Sequence, residues 1–249
     1  PAGGCGGGVG VSGVPLPPRG RAPPRPPPGG APTPGLPAPP PAPNGRPTTA
    51  PFKPGDPPRA LLLGLEELHH FIGGRLEYRV DTDQPLPETV DRPECGGVVN
   101  VPTAQVLSGS GYTAMQVQLV TDTRGSGGDV EQFAIEFPDG AAAEAFLVGQ
   151  TDRWRSCDKQ ELSMTKDNTT TRWQVVTVND ANLSGGIVLP AVRELRPGPD
   201  GEVDPFDTSL YCGQTVSRVG KYVVGAQSCA SGPNNGLIGS LLRARVPAE

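Results

Sequence analysis

Five cysteines are the side chains best suited to chemistry here, and their positions divide them between two uses. Cys95, Cys157, Cys212 and Cys229 fall in the part of the chain rich in apolar strands, and they read as two disulfides. Such bonds persist in oxidising compartments outside the cytoplasm. A zinc site is the rival use of four thiols, but no Cys-x-x-Cys pair is present to supply half of one. Cys5 stands alone in a glycine cluster and reads as an attachment point for lipid. Ala2-Gly3-Gly4-Cys5 has the small residues of a lipid-attachment signal, although Ala2 stands where an aliphatic residue is usual. The rival reading of Cys5 is a linker thiol with no role.

Other reactive residues form no catalytic pattern. There is no Gly-x-Ser-x-Gly elbow, no His-Glu-x-x-His and no phosphate loop. His69 and His70 are adjacent, so on a helix they point about 100° apart and make a poor chelating pair. Asp200, Glu202, Asp204 and Asp207 form the densest acidic run, but their spacing fits no defined calcium loop and a solvated surface is the better reading. Asn168-Thr-Thr170 and Asn182-Leu-Ser184 are formal glycosylation sequons. The expectation is a protein that is not an enzyme, with no metal and no cofactor. Tyr112, Trp173, Tyr211 and Tyr222 are the candidate ligand-binding residues, since aromatic groups on sheets and loops commonly line clefts. Trp154 reads as structural.

The elements that would position these residues begin after a long low-complexity segment. Residues 1–60 hold 21 of the 32 prolines and 13 of the 35 glycines. Such a segment buries too little apolar surface to offset the entropy of ordering it. Residues 1–58 are therefore expected to be a disordered, partly polyproline-like stalk, and residues 59–249 one folded domain. Up to residue 60 six Lys or Arg face one Asp, whereas the remainder is acidic by ten charges. A basic stem suits an anionic envelope or lipid surface, and an acidic domain disfavours nucleic acid. No apolar run is long enough to cross a bilayer, and no complete signal peptide is visible.

Within the domain, residues 59–71 read as a helix striped by Leu61, Leu62, Leu65 and Leu68. Residues 85–100 read as a turn-rich connection, and a short helix is expected near residues 98–107. Strands are expected at 112–120, 130–137, 171–178 and 186–195. Residues 138–154 carry a helix opened by Pro138 and Asp139, with Ala142, Ala145, Phe146 and Leu147 on its packing face. Residues 235–245 close the chain as a helix packing through Leu237, Ile238, Leu241 and Leu242. This order implies an α+β domain with a largely antiparallel sheet.

A geometric test of the disulfides comes from strands 216–219 and 222–226, which flank Gly220-Lys221 as a tight hairpin. That turn places Cys212 opposite Cys229, within disulfide reach if the pair is not hydrogen-bonded. Cys95 then pairs with Cys157 by elimination, although four cysteines formally allow three pairings. The loops so closed correspond to about 4 and about 3 kcal/mol in the chain-entropy description.

Trp154-Arg-Ser-Cys157, Tyr211-Cys212, Gly220-Lys-Tyr-Val-Val224 and Cys229 together give residues 61–246 a recognisable pattern. It resembles the PknH-like extracellular sensor domain of mycobacteria and related actinobacteria. The resemblance implies an α+β fold, the same two disulfides and a large cleft for an unidentified ligand. It does not carry over kinase activity. The expected role is a non-enzymatic extracytoplasmic sensor or ligand-binding domain, partnered by a small molecule or envelope component and tethered through Cys5. The alternative is a structural or protein-interaction module of the cell envelope that docks a protein partner.

Overall fold

The apolar runs become strands of one sheet. The computed structural model describes residues 52, 53, 55–124, 128–182, 187–196, 211–229 and 234–247. Cys5, almost all of the expected stalk, the acidic run from Asp200 to Asp207 and Ser184 of the second sequon lie outside them. Nine strands are described: β1 Leu76–Thr82, β2 Thr89–Val90, β3 Ala114–Asp122, β4 Asp129–Glu136, β5 Glu161–Lys166, β6 Thr169–Asn182, β7 Ile187–Glu194, β8 Tyr211–Val219 and β9 Tyr222–Cys229. They lie side by side in the order β1-β3-β4-β9-β8-β7-β6-β5-β2, with every neighbouring pair antiparallel. The fold is α+β.

Central strands β4 and β9 are buried on both faces, and β4 carries Glu131 and Gln132 into that interior beside its apolar residues. The two-residue period of a strand then sorts them between two cores. Met115, Val117, Phe133, Ile135, Val175, Val192 and Val223 face α2 (Gly96–Val99), α3 (Ala104–Leu107) and α4 (Gly140–Arg155). Val120, Val130, Ala134, Tyr222, Val224 and Ala226 face α1 (Leu65–Ile72) and α5 (Asn234–Arg245). Helices therefore cover both sides of the sheet.

Asp139 opens α4 as expected, its Oδ1 accepting from the Ala142 N–H at 2.7 Å. Ala143, Leu147, Gln150, Thr151 and Trp154 form the buried stripe, while Ala145 is exposed, one position off the face expected for it. In α5 the fully buried Ile238 and Leu242 do the anchoring, at roughly 2 kcal/mol each. Leu237 is 49% exposed and does not pack on the sheet as expected. The first helix is also shorter than expected. Leu61, Leu62 and Leu63 are all buried, and three successive side chains cannot share one helix face. The chain instead makes a single 3-10 turn, Pro58–Leu61, then extends at Leu62 before α1 starts.

Packing reaches further back than the expected boundary at residue 59. Phe52 is buried, its ring edge-on to Tyr222 at 5.5 Å. Farther along, Asp167 and Asn168 both adopt positive φ, which makes the β5–β6 connection a two-residue hairpin with the first sequon at its tip.

In the β8–β9 hairpin, Val219 lies opposite Tyr222 and the register runs without a slip to Cys212 opposite Cys229. Their Cα atoms are 4.0 Å apart and their sulfurs are bonded. Cys95 and Cys157, with Cα atoms 5.8 Å apart, form the other bond. Gly225 allows the closest approach in this region. A Cβ there would stand 2.4 Å from the Phe133 ring and 2.6 Å from the Thr215 carbonyl oxygen, and the carbonyl belongs to the rigid neighbouring strand. Gly225→Ala is expected to destabilise the domain by about 3 kcal/mol, read as a lower urea midpoint with little change in slope. An unchanged midpoint would mean the β8–β9 pair is looser than this packing requires.

Candidate ligand-binding cavity

The cavity starts from a curl in the sheet. Neighbouring strands lie ~4.8 Å apart, so a flat sheet would hold β4 and β5, five places apart, about 24 Å from each other. Yet residues of both strands line one cavity of about 140 Å³. The sheet wraps toward α2, and β5 and its neighbours come round opposite β4.

Strand alternation chooses the lining. Asp129 and Glu131 lie on the same face of β4 as Phe133, while Gln227 and Cys229 share the matching face of β9. Leu119 of β3, Cys212 of β8, Trp173 of β6 and Met164 and Lys166 of β5 continue the wall. Val99 and Asn100, at the end of α2, and Glu88, between β1 and β2, complete it. The Gln227 side-chain amide donates to the Val99 carbonyl at 2.6 Å and holds that end of α2 to β9.

The polar members are unevenly paired. Lys166 Nζ lies 2.6 Å from Glu88 Oε1. Burial works against the Lys166 charge, but its hydrogen bond to Glu88 and the nearby Glu88, Glu131 and Asp167 carboxylates outweigh that and raise its pKa. Glu131 has no such partner. One oxygen accepts from the Asn100 amide at 3.2 Å, and the other, Oε1, has no hydrogen-bond partner. Burial first, and the Glu88 charge second, push its pKa up to about 8, against smaller opposing effects of Asn100 and Lys166. Glu88 Oε2 and Asn100 Oδ1 are also buried without partners. All three residues are more than nine-tenths buried.

Of the four aromatic residues expected to bind ligand, the structure brings only Trp173 to the cavity, with its indole N–H donating to Thr171 Oγ1 at 2.8 Å. Tyr222 points to the other face of the sheet, into the core beneath α1 and α5. Tyr211 sits beside Cys212 on the strand, so alternation turns it away from the lining, and it is half-exposed. Tyr112 precedes β3 and packs at the margin of the α4-side core. These three do not line the cavity; for Tyr211 and Tyr222 the reason is that a strand offers only every second side chain to one face. Sequence reasoning missed Glu88, Asn100, Glu131 and Lys166. Glu131 left a trace, a carboxylate in the middle of a run otherwise fit for a central strand. Trp154 is fully buried in the same core as Cys95 and Cys157, and His69 and His70 are exposed at the end of α1.

Residues 54–244 match the PknH-like extracellular domain. The chain belongs to that family. Among its relatives, the serine/threonine-protein kinase PknH of Mycobacterium bovis is 27% identical over 193 residues, a match covering 71% of this chain and 30% of that protein. PknH of Mycobacterium tuberculosis is 26% identical over 193 residues, covering 71% and 28%. The chain thus spans less than a third of the length of these curated relatives. The crystal structure of the extracellular domain of PknH from Mycobacterium tuberculosis superposes with a TM-score of 0.65, over 79% of this chain and 97% of that one. At 21% identity that likeness is one of fold. The PknH-like domain of this chain is extracytoplasmic, in keeping with its two disulfides.

Glu131 makes the stability of this PknH-like domain depend on pH. Below about pH 4.5 the carboxyl is protonated in both folded and unfolded chains and carries no penalty. As pH rises the unfolded chain releases its proton first, while the folded chain keeps it until about pH 8. Stability from this group is therefore lost between those values, to a total of about 5 kcal/mol, and levels off above them. Urea unfolding at pH 5, 7 and 9 should show Glu131→Gln gaining on the parent as pH rises. A constant difference across the three would show that Glu131 ionises freely.

Proposed function

We propose that this chain is a non-enzymatic sensor module of the cell envelope that binds a small ligand in the cavity between α2 and the curled sheet. The observation that carries this reading is the meeting of a ring-sized cavity with three buried side chains whose oxygens have no partner, Glu88, Asn100 and Glu131. Buried polar atoms are normally satisfied, and a small-molecule site is a mostly apolar hollow with a few such groups converging on it. Membership of the PknH-like extracellular family supports a sensing role. The phosphotransfer named for the kinase relatives is outside this reading, because the family match is to their extracellular domain.

The proline-rich segment ahead of Phe52 serves in this reading as the stalk, and Cys5 as its lipid attachment. The docking alternative has less support. The large apolar side chains exposed among the described residues, Tyr78, Val148, Tyr211 and Leu237, lie on four different elements, with α4 and α5 on opposite faces of the sheet.

Native mass spectrometry of the protein gently purified from its own cells tests the proposal. A reproducible noncovalent adduct is expected, absent from a Trp173→Leu variant that remains folded. A denatured, nonreduced control should carry a lipid mass on the peptide holding Cys5. A bare mass across independent preparations would remove the case for a stably held ligand, and an unmodified Cys5 would remove the anchor.

A further inference from the structure

The chemistry of the cavity wall narrows what can fill it, and this step rests on the cavity being a ligand site. Three carboxylates line it, those of Glu88, Asp129 and Glu131, against the single ammonium of Lys166. That ammonium is already committed to Glu88 Oε1. Asp129, at the exposed rim, accepts a hydrogen bond from Thr121. Every unpartnered buried side-chain atom among the lining residues is an oxygen: Glu88 Oε2, Asn100 Oδ1 and Glu131 Oε1. Glu88 Oε2, on a carboxylate paired with Lys166, and Asn100 Oδ1 can only accept, so what completes this site must donate. Trp173, Met164, Val99 and the Cys212–Cys229 bond give the rest of the wall an apolar, polarisable surface.

We propose that the cavity binds a small organic cation carrying N–H donors, a primary ammonium or an amidinium, with its charge against Glu131 and its apolar part against Trp173 and Met164. Among the described residues no group of three or more His, Cys, Asp or Glu side chains is gathered to hold a metal ion, which favours an organic cation over a metal. The size fits a ring-sized ligand, since about 140 Å³ is close to the roughly 150 Å³ known to admit benzene. Binding is an exchange of like charges. Before binding, Glu131 is held in its protonated form by burial and by Glu88. The entering cation replaces that proton, which leaves to solvent, and the carboxylate then accepts from the ligand N–H. Glu88, Asp129 and Lys166 are the other charged groups lining the cavity, with Asp167 beside Lys166.

Benzylamine, benzyl alcohol and benzoate share one ring and differ in charge, so they separate the possibilities when titrated into the full chain with the Trp173 indole N–H followed by NMR. Benzylamine is expected to bind most tightly, with affinity rising about tenfold per pH unit from pH 6 to 7.5 as the displaced proton becomes easier to lose. Glu131→Gln should weaken it at least tenfold and flatten that slope. Lys166→Met should tighten it, by freeing the second Glu88 oxygen. Equal or tighter binding of benzyl alcohol or benzoate overturns the cation assignment and leaves the cavity a ligand site. Benzylamine binding that ignores Glu131→Gln overturns it as well. If none of the three moves the Trp173 signal, the cation assignment and the ligand-site reading fall together.

Discussion

The Cys95–Cys157 bond is the constraint on which the rest of this architecture hangs. Cys95 ends a 3-10 turn and is followed directly by α2, and Cys157 lies two residues beyond α4. A four-residue helix such as α2 has almost no stability of its own, because nucleation is costly and too few residues follow to repay it. It is held by the bond at one end and by Gln227 at the other. Gly97 completes the fit, since a Cβ there would stand 2.6 Å from the Trp154 ring. The helix can thus lie directly on the tryptophan. With α2 so fixed, Val99 and Asn100 become a rigid wall over the sheet, and the cavity is what remains between them.

The far side of the sheet is secured by a different device. Arg245, near the end of α5, pairs with Glu67 of α1 and donates to the Leu61 and Leu62 carbonyls, so the last helix clamps the first segment of the domain. Gly239 lets α5 approach β8 closely, with Thr215 in the space a Cβ would occupy. Neither device touches the cavity. The two helical layers therefore separate tasks: α1 and α5 stabilise one face, while α2 and the disulfides shape the other.

Much of this architecture is legible in the amino-acid sequence. The central strands, α4 with its Asp139 cap, and the register joining Cys212 to Cys229 all follow from local rules of periodicity, capping and turn geometry. What escaped was non-local. Strands β1 and β5 sit toward the sheet's edges and are largely exposed; β1 does alternate, through Leu76, Tyr78 and Val80, whereas β5 has only Leu162 and Met164 to mark it. The cavity was legible only at Trp173. It is built by curling the sheet until Lys166 faces Glu131, and no spacing rule along the chain encodes a meeting across four intervening strands. Tyr211 and Tyr222 lie off the cavity wall for a simpler reason. Strand parity decides which core a tyrosine joins, and Tyr222 joined the one beneath α1 and α5.

Two neighbours on β4 show how a fully paired buried polar group differs from one left partly unpaired. Gln132, fully buried, uses its amide completely. Its oxygen accepts from the Leu63 N–H at 2.9 Å, and its nitrogen donates to the Leu63 carbonyl at 2.7 Å and to Gln118 at 2.9 Å. It stitches the segment before α1 to the sheet. Glu131, one residue earlier and on the opposite face, makes one bond to a neutral amide and leaves an oxygen unmet. An unmet atom alone does not mark a site: Gln214 is buried with both ends of its amide unpartnered and lines no part of the cavity. What sets Glu131 apart is agreement. It borders open space, its own Oε1 has no partner, and the unpartnered atoms beside it, Glu88 Oε2 and Asn100 Oδ1, are oxygens as well. Burial works against the ionised form of this carboxyl, a cost that an amide at the same position would not carry. On the proposed reading, a cationic ligand supplies the missing donor and offsets that cost by letting the carboxyl ionise against it.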